Sequence, residues 1–420
     1  MRRSALLAVC LAVFIDMLGF GIILPSLPLH AADLGGGGAW VGVLLTGYAA
    51  AQFVAAPILG SLSDRYGRRR LLLLSLAGSA VSLTVTAVAG SLALLLLARV
   101  VAGGFGGATA VGQAYVIDLS PARQRTRALG LVGASIGLGF VFGPAIGAGL
   151  AGLGVDFAGT CFVAAGVAVA NLVLGLIRLP GPAARPPTRR GRPTGPRRSA
   201  PLRRIATLRA GLSRPTLRPV LLALFGVTFA FVGMETTFAL LARSRFNLGP
   251  AGLGIVFAGV GIVMVIVQGG LVSRLTDRYG DAPVALAGAV VLAVGLLALP
   301  NVPAAVGYPA LGLVAIGQGL LSPTTASLLA RGGGGNLGGL LGVGQSAAAA
   351  ARAVGPLVAG LAFALRPAAP YLIGAVASLG AAALLWTVRS GETGDDPPPP
   401  TPRRPARTTG RAEQLLDTRP

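Results

Sequence analysis

The sequence predicts an all-α membrane protein, with twelve membrane-spanning helices arranged as two pseudo-symmetric bundles of six. Three observations carry that prediction. Apolar residues make up 54% of the chain and charged residues 11%, with a mean hydropathy of +0.76; soluble domains are about one-quarter charged. A bilayer-crossing helix needs about 20 mostly apolar residues, and the chain offers twelve such runs. Finally, the chain repeats itself. The segment GSLSDRYGRRR at Gly60–Arg70 returns in shortened form as SRLTDRYG at Ser273–Gly280, and Gly143-Pro144 returns as Gly355-Pro356. Paired halves with matching hydropathy are a common construction for secondary transporters, with a path at their interface.

In the first half the spans fall near 5–29, 39–62, 71–90, 92–118, 128–152 and 157–179. In the second they fall near 217–241, 251–273, 283–300, 304–329, 337–364 and 369–388. Connections on one side are short, as in 30–38, 154–156, 301–303 and 366–370. Those on the other carry the arginines, as in PARQRTR at 121–127. The expected organisation is therefore a first bundle at 1–179, an Arg/Pro-rich linker at 180–216, a second bundle at 217–389 and a tail at 390–420. The linker and the tail, with its DDPPPP run, are too poor in large apolar residues to bury a core and read as a tether and a disordered or polyproline-like end. Within the linker, LRRIATLRAGL at 202–212 has the pattern of an amphipathic surface helix. The apolar run after Arg2-Arg3 continues to about Leu29 without a small-residue cleavage site, so it reads as a first span rather than a signal peptide.

The net charge of +22 suggests nucleic acid only until its location is considered. Nearly all the arginines fall in segments on one side of the membrane; Arg243, Arg245 and Arg366 fall on the other, and Arg99 and Arg352 lie inside spans. That is the positive-inside pattern, and it places both termini and the linker in the cytoplasm. The expected partners are membrane lipids, a small-molecule substrate and protons, not nucleic acid, and the expected state is a monomer. Cys10 and Cys161 both lie in apolar spans, so neither a disulfide framework nor a metal site is expected, and no cofactor beyond the proton as coupling ion.

In the loop at 60–70, Gly60 is read as letting two helices approach closely and Gly67 as permitting a tight turn. Asp64 ends the second span, where it can pair with an arginine or sit at a neighbouring helix N-terminus. Arg68, Arg69 and Arg70 anchor the third span. Asp118, at the end of the fourth, is placed to brace this loop through Arg65 or Arg68. Asp277 and Arg278 are the counterparts of Asp64 and Arg65 in the second half. In the fifth span Gly139, Gly143 and Gly147 recur every four residues and form a groove along one helix face, while Pro144 removes a backbone donor. Such a ridge can pack closely on a partner helix and seal one side of a path.

With its order G-x-L-S-D-R-x-G-R-R, the loop resembles the signature between spans two and three of the major facilitator superfamily. LGFGIILPSLP at Leu18–Pro28 resembles the first-span motif of twelve-span drug:proton antiporters. GFVFGPAIGA at Gly139–Ala148 resembles their fifth-span motif, with Ala148 in place of its last glycine, and Arg99 with Gly103 resembles the fourth-span motif. The resemblance covers the chain apart from linker and tail and is strongest, in DMLGFGIILPSLP and SIGLGFVFGPAIG, to bacterial tetracycline efflux proteins. It implies the superfamily fold, no enzymatic activity, residence in a bacterial cytoplasmic membrane and proton-driven export of drug-like compounds. The chain departs from tetracycline exporters where they carry an aspartate in the third span (here Ser82), a histidine in the eighth (here Met264) and an aspartate in the ninth, where only apolar residues occur. Those departures bear on tetracycline itself rather than on proton-driven export.

Ionisable groups inside spans are costly and so point to function. Asp16, near the middle of the first span, reads either as a protonatable coupling site or as a carboxylate fixed by neighbouring hydroxyls or an arginine. Arg99 reads as a group that tunes such a site or as an ion-pair partner, and Glu235 as a cavity acid or an interfacial residue. Arg352 is placed to neutralise Glu235 or Asp16, or to hold an anionic drug group. Gln113, Gln318 and Gln345, with Gln52 and Gln268, are candidate cavity hydrogen-bonders. The resulting expectation is proton-coupled efflux of small amphipathic compounds; an uptake symporter for a sugar or organic acid on the same fold is the alternative.

Overall fold

A computed structural model of the chain describes residues 2–120, 124–179, 209, 212–215, 217–331 and 337–392. The linker and surface helix expected between 180 and 216, apart from Arg209, 212–215, and the tail from 393 onward lie outside the described residues. Every regular element described is helical, and twelve helices are long and apolar enough to cross a membrane. An even number of crossings puts both chain ends on one side, here called the terminal side.

The first span, Arg2–Ile23, is followed by a turn and a short helix, Leu27–Asp33, so the first part of the loop expected at 30–38 is helical. Pro28 suits that helix because it lies in the first turn, where its missing N–H has no partner to lose. The second span is Gly38–Tyr66 and the third Arg68–Ala87, so the arginines at 68–70 form the first turn of the third helix. The fourth span is broken into Leu92–Phe105 and Ala108–Leu119. At the break, Gln52 Nε2 donates to Gly106 O (3.0 Å), satisfying a carbonyl that the interrupted helix leaves without a partner. Arg125–Gly152 and Phe157–Arg178 complete the first half, the latter capped by Asp156, whose carboxylate accepts from Gly159 N (2.8 Å).

The second half contains Arg218–Phe246, an eighth span from Pro250 to Tyr279, Asp281–Ala298, Ala304–Arg331, Leu337–Leu365 and Ala369–Glu392. The eighth span is not uniform: Val267–Leu271 forms one π-helical turn, a distortion that often marks a functional position in a helix. Each half has its own buried apolar clusters. One large cluster joins spans seven to twelve and reaches across only to Leu29; three smaller ones hold the first half together.

The halves meet through two matched helix pairs on the side away from the termini. At the first, spans five and eight touch: a Cβ added to Gly254 would stand 2.5 Å from both Pro144 O and Ala148 Cβ. At the second, spans two and eleven touch: a Cβ on Gly42 would stand 2.5 Å from Pro356 O, and one on Gly360 2.4 Å from Gly38 O. The pairs repeat at one spacing of 212, from 42 to 254 and from 144 to 356. An Arg243–Asp33 ion pair (2.6 Å) links the halves on the same side. Small residues allow this backbone-to-backbone approach between helices in lipid.

Candidate functional site

Between the halves lies a cavity of about 490 Å³, within the range of about 300–1,000 Å³ typical of drug-sized sites. Its walls come from spans five, seven, eight, ten and eleven. Phe140, Phe231, Phe238 and Phe257 supply aromatic surface, and Gln268, Gln318 and Gln345 supply amides. Gln268 sits in the π turn of span eight. The charged residues in the lining are Glu235 and Arg352. Each acts electrostatically on the other, yet they form no ion pair among the described residues. Pro144 also reaches the cavity wall, so the fifth span both packs the seal and lines the path.

Asp16 lies next door, in a cavity of about 40 Å³ bounded by Tyr48, Gln52, Ser79, Ser82 and Arg99. That space admits water but no drug-sized molecule. Ser79 Oγ donates to Asp16 Oδ1 (2.9 Å). Arg99 is 2% exposed and donates through Nη2 to Thr86 Oγ1 (2.8 Å), while its Nε has no partner among the described residues. Asp16, the candidate coupling site, is absent from the lining of the large cavity. Tyr48 lines the small cavity with it. It feels the charges of Asp16, Arg99 and Arg352, accepts a hydrogen bond from Gln52 Nε2 (3.2 Å), and its ring lies 5.3 Å from that of Phe20. Gln113 lines neither cavity.

The fifth-span glycines face the first span. A Cβ at Gly139 would meet Met17 Cβ at 2.5 Å, one at Gly143 would meet Gly21 Cα at 2.7 Å, and one at Gly147 would meet Ile22 O at 2.3 Å. The groove read from their spacing is therefore filled by span one. Ala148, the departure from the family motif, is accommodated because its partner Gly254 has no side chain.

The loop around Gly67 is a compact hydrogen-bonded corner on the terminal side. Gly67 adopts φ 98°, a conformation that L side chains rarely take. Arg68 pairs with Asp64, donates through Nε to Asp118 Oδ2 (2.9 Å), and donates through Nη1 to Ser63 Oγ (2.5 Å). Asp118 thus braces the loop through Arg68, while the Arg65 guanidinium lies 5.3 Å from the Tyr66 ring. Gly60 differs from the expectation that it lets helices approach: a Cβ there meets nothing within 4 Å. Its contribution is a carbonyl that accepts from Ser63 Oγ (2.7 Å), which any residue supplies. In the second half Asp277 and Arg278 are exposed, and Arg278 repeats the stacking of Arg65, 5.3 Å from the Tyr279 ring.

The family model described as Major Facilitator Superfamily matches residues 9–332 and 245–418. The chain belongs to the major facilitator superfamily. It is 32% identical over 344 residues to the tetracycline resistance protein, class D, of Salmonella ordonez, covering 79% of this chain and 82% of that one. It is 29% identical over 340 residues to the class C protein of Escherichia coli, covering 78% and 82%. Its fold matches the crystal structure of the human organic anion transporter MFSD10 with a TM-score of 0.69 at 26% identity, over 91% of this chain and 99% of that one. This superfamily member is a multi-pass membrane transporter, not an enzyme.

Sequence reasoning missed Tyr48, Ser79, Thr86 and the four cavity phenylalanines as site residues. A tyrosine or phenylalanine in a span carries no signal of its own, since lipid-facing and cavity-facing rings look alike in a sequence. Ser79 is one of several hydroxyl residues in the third span, with Ser75, Ser82, Thr84 and Thr86, and the sequence does not single it out.

Proposed function

We propose that this superfamily transporter exports small amphipathic compounds across a bacterial cytoplasmic membrane in exchange for protons, with both termini in the cytoplasm. The observation that carries the reading is the division of labour between two adjoining cavities. The larger is walled by aromatic rings and amides and suits amphipathic cargo. The smaller holds an intramembrane carboxyl, Asp16, beside a buried arginine, the arrangement expected of a proton relay. Tyr48, facing charges from both, is the path by which loading one affects the other. The kinship with tetracycline resistance proteins supports the direction, and the arginines on the terminal side support the orientation. With the halves sealed on the far side, the cavity lies on the cytoplasmic route, and rocking about Gly42–Pro356 and Gly254–Pro144 would expose it outward.

The test uses everted vesicles with an acidic lumen. Adding dansylcadaverine or tetracycline should release lumenal protons in vesicles carrying the native chain and not in those carrying Asp16→Asn. If Asp16→Asn still couples cargo to the gradient, Asp16 is not the proton site. A second reading, an importer of organic acids, draws on Arg352 in the cavity. It predicts cargo entering cells with protons, and sensitisation rather than protection of a pump-deficient host.

A further inference from the structure

The large cavity contains an acid and a base that face one space without meeting. Glu235 projects from span seven and Arg352 from span eleven. Each feels the other's charge, but neither makes an ion pair or hydrogen bond with any described residue. Arg352 remains accessible to the cavity and Glu235 half-buried. A charge removed from water without a partner is strongly destabilising, so cargo that displaces water here must compensate both groups. A monocation satisfies Glu235 and is repelled by Arg352. A monoanion meets the reverse, and a neutral amphiphile strands both.

We propose, resting on the export reading above, that the preferred cargo is an amphipathic zwitterion. Its ammonium lies against Glu235, its carboxylate or equivalent acid against Arg352, and its apolar body against the phenylalanines. Gln318 adds an independent observation. The residue lines the cavity, and its Oε1 is buried with no donor among the described residues; a buried acceptor of this kind calls for a donor, which an ammonium would supply once the side chain turns toward it. The rival is internal: Glu235 and Arg352 close on each other when the cavity collapses in the opposite state, and the pair serves the conformational cycle rather than recognition.

Three fluorescent probes sharing one ring system separate these. Nε-dansyl-L-lysine is a zwitterion, dansylcadaverine a cation and 6-(dansylamino)hexanoate an anion. Binding to the purified full chain is read from dansyl fluorescence. Dansyl-lysine should bind at least about tenfold more tightly than either relative, a difference of about 1.4 kcal/mol. Glu235→Gln should weaken dansyl-lysine and dansylcadaverine by about tenfold or more and spare the hexanoate, while Arg352→Gln should weaken dansyl-lysine and the hexanoate and spare the cation. Equal or tighter binding of a singly charged probe by the native chain, or no binding of any probe, overturns the proposal without recourse to a variant. Equal weakening of all three probes in both variants overturns it in favour of the internal pair. Proton-coupled export of dansylcadaverine without zwitterion preference removes the cargo assignment and leaves export standing. Zwitterion preference without outward transport does the opposite.

Discussion

The two halves are most alike where they touch and least alike where they carry charge. Gly42 against Pro356 repeats Gly254 against Pro144, and both added Cβ atoms would stand 2.5 Å from a proline carbonyl oxygen. The two loops also share a backbone: Gly67 and Gly280 both have positive φ (98° and 84°), and each follows an Arg-Tyr pair with the guanidinium 5.3 Å from the ring. After the glycine the resemblance stops. The first half continues with Arg68, paired to Asp64 and Asp118; the second continues with Asp281, whose Oδ2 accepts from Ser327 Oγ (2.6 Å). Asp277 thus has an aspartate, not an arginine, four residues on. The cavities diverge too, with Asp16 and Arg99 in the first half against Glu235 and Arg352 in the second. The close helix contacts are thus kept in two copies, while the ion pairs seen among the described residues at these loops belong to Arg68 of the first.

The largest effect should come from breaking what the halves share. Gly42→Val and Gly254→Val each press a side chain into a proline carbonyl, a backbone atom that cannot step aside. Overpacking of this kind costs about 1–3 kcal/mol, here on the far-side seal alone. Transport of dansylcadaverine should fall by about tenfold or more in both variants, since about 1.4 kcal/mol is a factor of ten. A cysteine placed at Phe363, which packs on Gly38, should become more readily labelled from that side. Losses that differ by more than about tenfold between the variants would show that the two seals are not equivalent.

Next comes what the halves do not share. Arg68→Gln removes the ion pairs to Asp64 and Asp118, and transport should drop by about two- to thirtyfold if the corner biases a two-state equilibrium, since such couplings run to about 0.5–2 kcal/mol. Asp281→Asn keeps an acceptor for Ser327 and should lose less than about twofold, within the ordinary scatter of mild substitutions. Vesicle transport rates compare the two directly. Equal losses would mean that the second loop is a latch in its own right.

How legible each feature was follows the same division. Spans are visible because about 20 apolar residues in a row have few other meanings, and the repeat because a duplicated Asp-Arg-Tyr-Gly is rare by chance, whereas Gly-Pro is common here and its recurrence counts only through the matching offset. The breaks at Gly106–Gly107 and in the π turn at Val267–Leu271 were not foreseen. Glycine is too common here, at 64 residues, for any one to announce a kink. The site was half legible: Asp16, Arg99, Glu235 and Arg352 stand out because a charge in a span is expensive. Their sorting into two cavities depends on which way each helix is turned, and runs of uniformly apolar residues leave helix rotation unmarked.

A smaller effect tests the common backbone. Gly67→Ala and Gly280→Ala place a Cβ on residues with φ of 98° and 84°. Space is not the obstacle, since the Cβ meets nothing within 4 Å at Gly67 and only Pro283 Cδ at 3.9 Å at Gly280. The cost is conformational, about 1–3 kcal/mol for a non-glycine residue held in such a region. Both variants should unfold earlier in detergent, by similar amounts. If Gly280→Ala alone is tolerated, the second loop relaxes to another backbone and the repeat is only sequence-deep.

The smallest effect is expected at Gly60, and it separates a motif position from a structural need. The sequence suggested a helix contact there, but an added Cβ points into open space and the residue lies within the helix Gly38–Tyr66. Alanine favours a helix interior over glycine by about 1 kcal/mol, and the carbonyl that Ser63 uses is unchanged by the substitution. Gly60→Ala should therefore leave thermal stability equal or slightly higher. Should the halves also close on the terminal side during the cycle, the added methyl would be felt only then. Unchanged stability with transport reduced several-fold would place a helix against Gly60 in the outward-open state. Unchanged stability with unchanged transport would leave its place in the motif without a steric reason in either state.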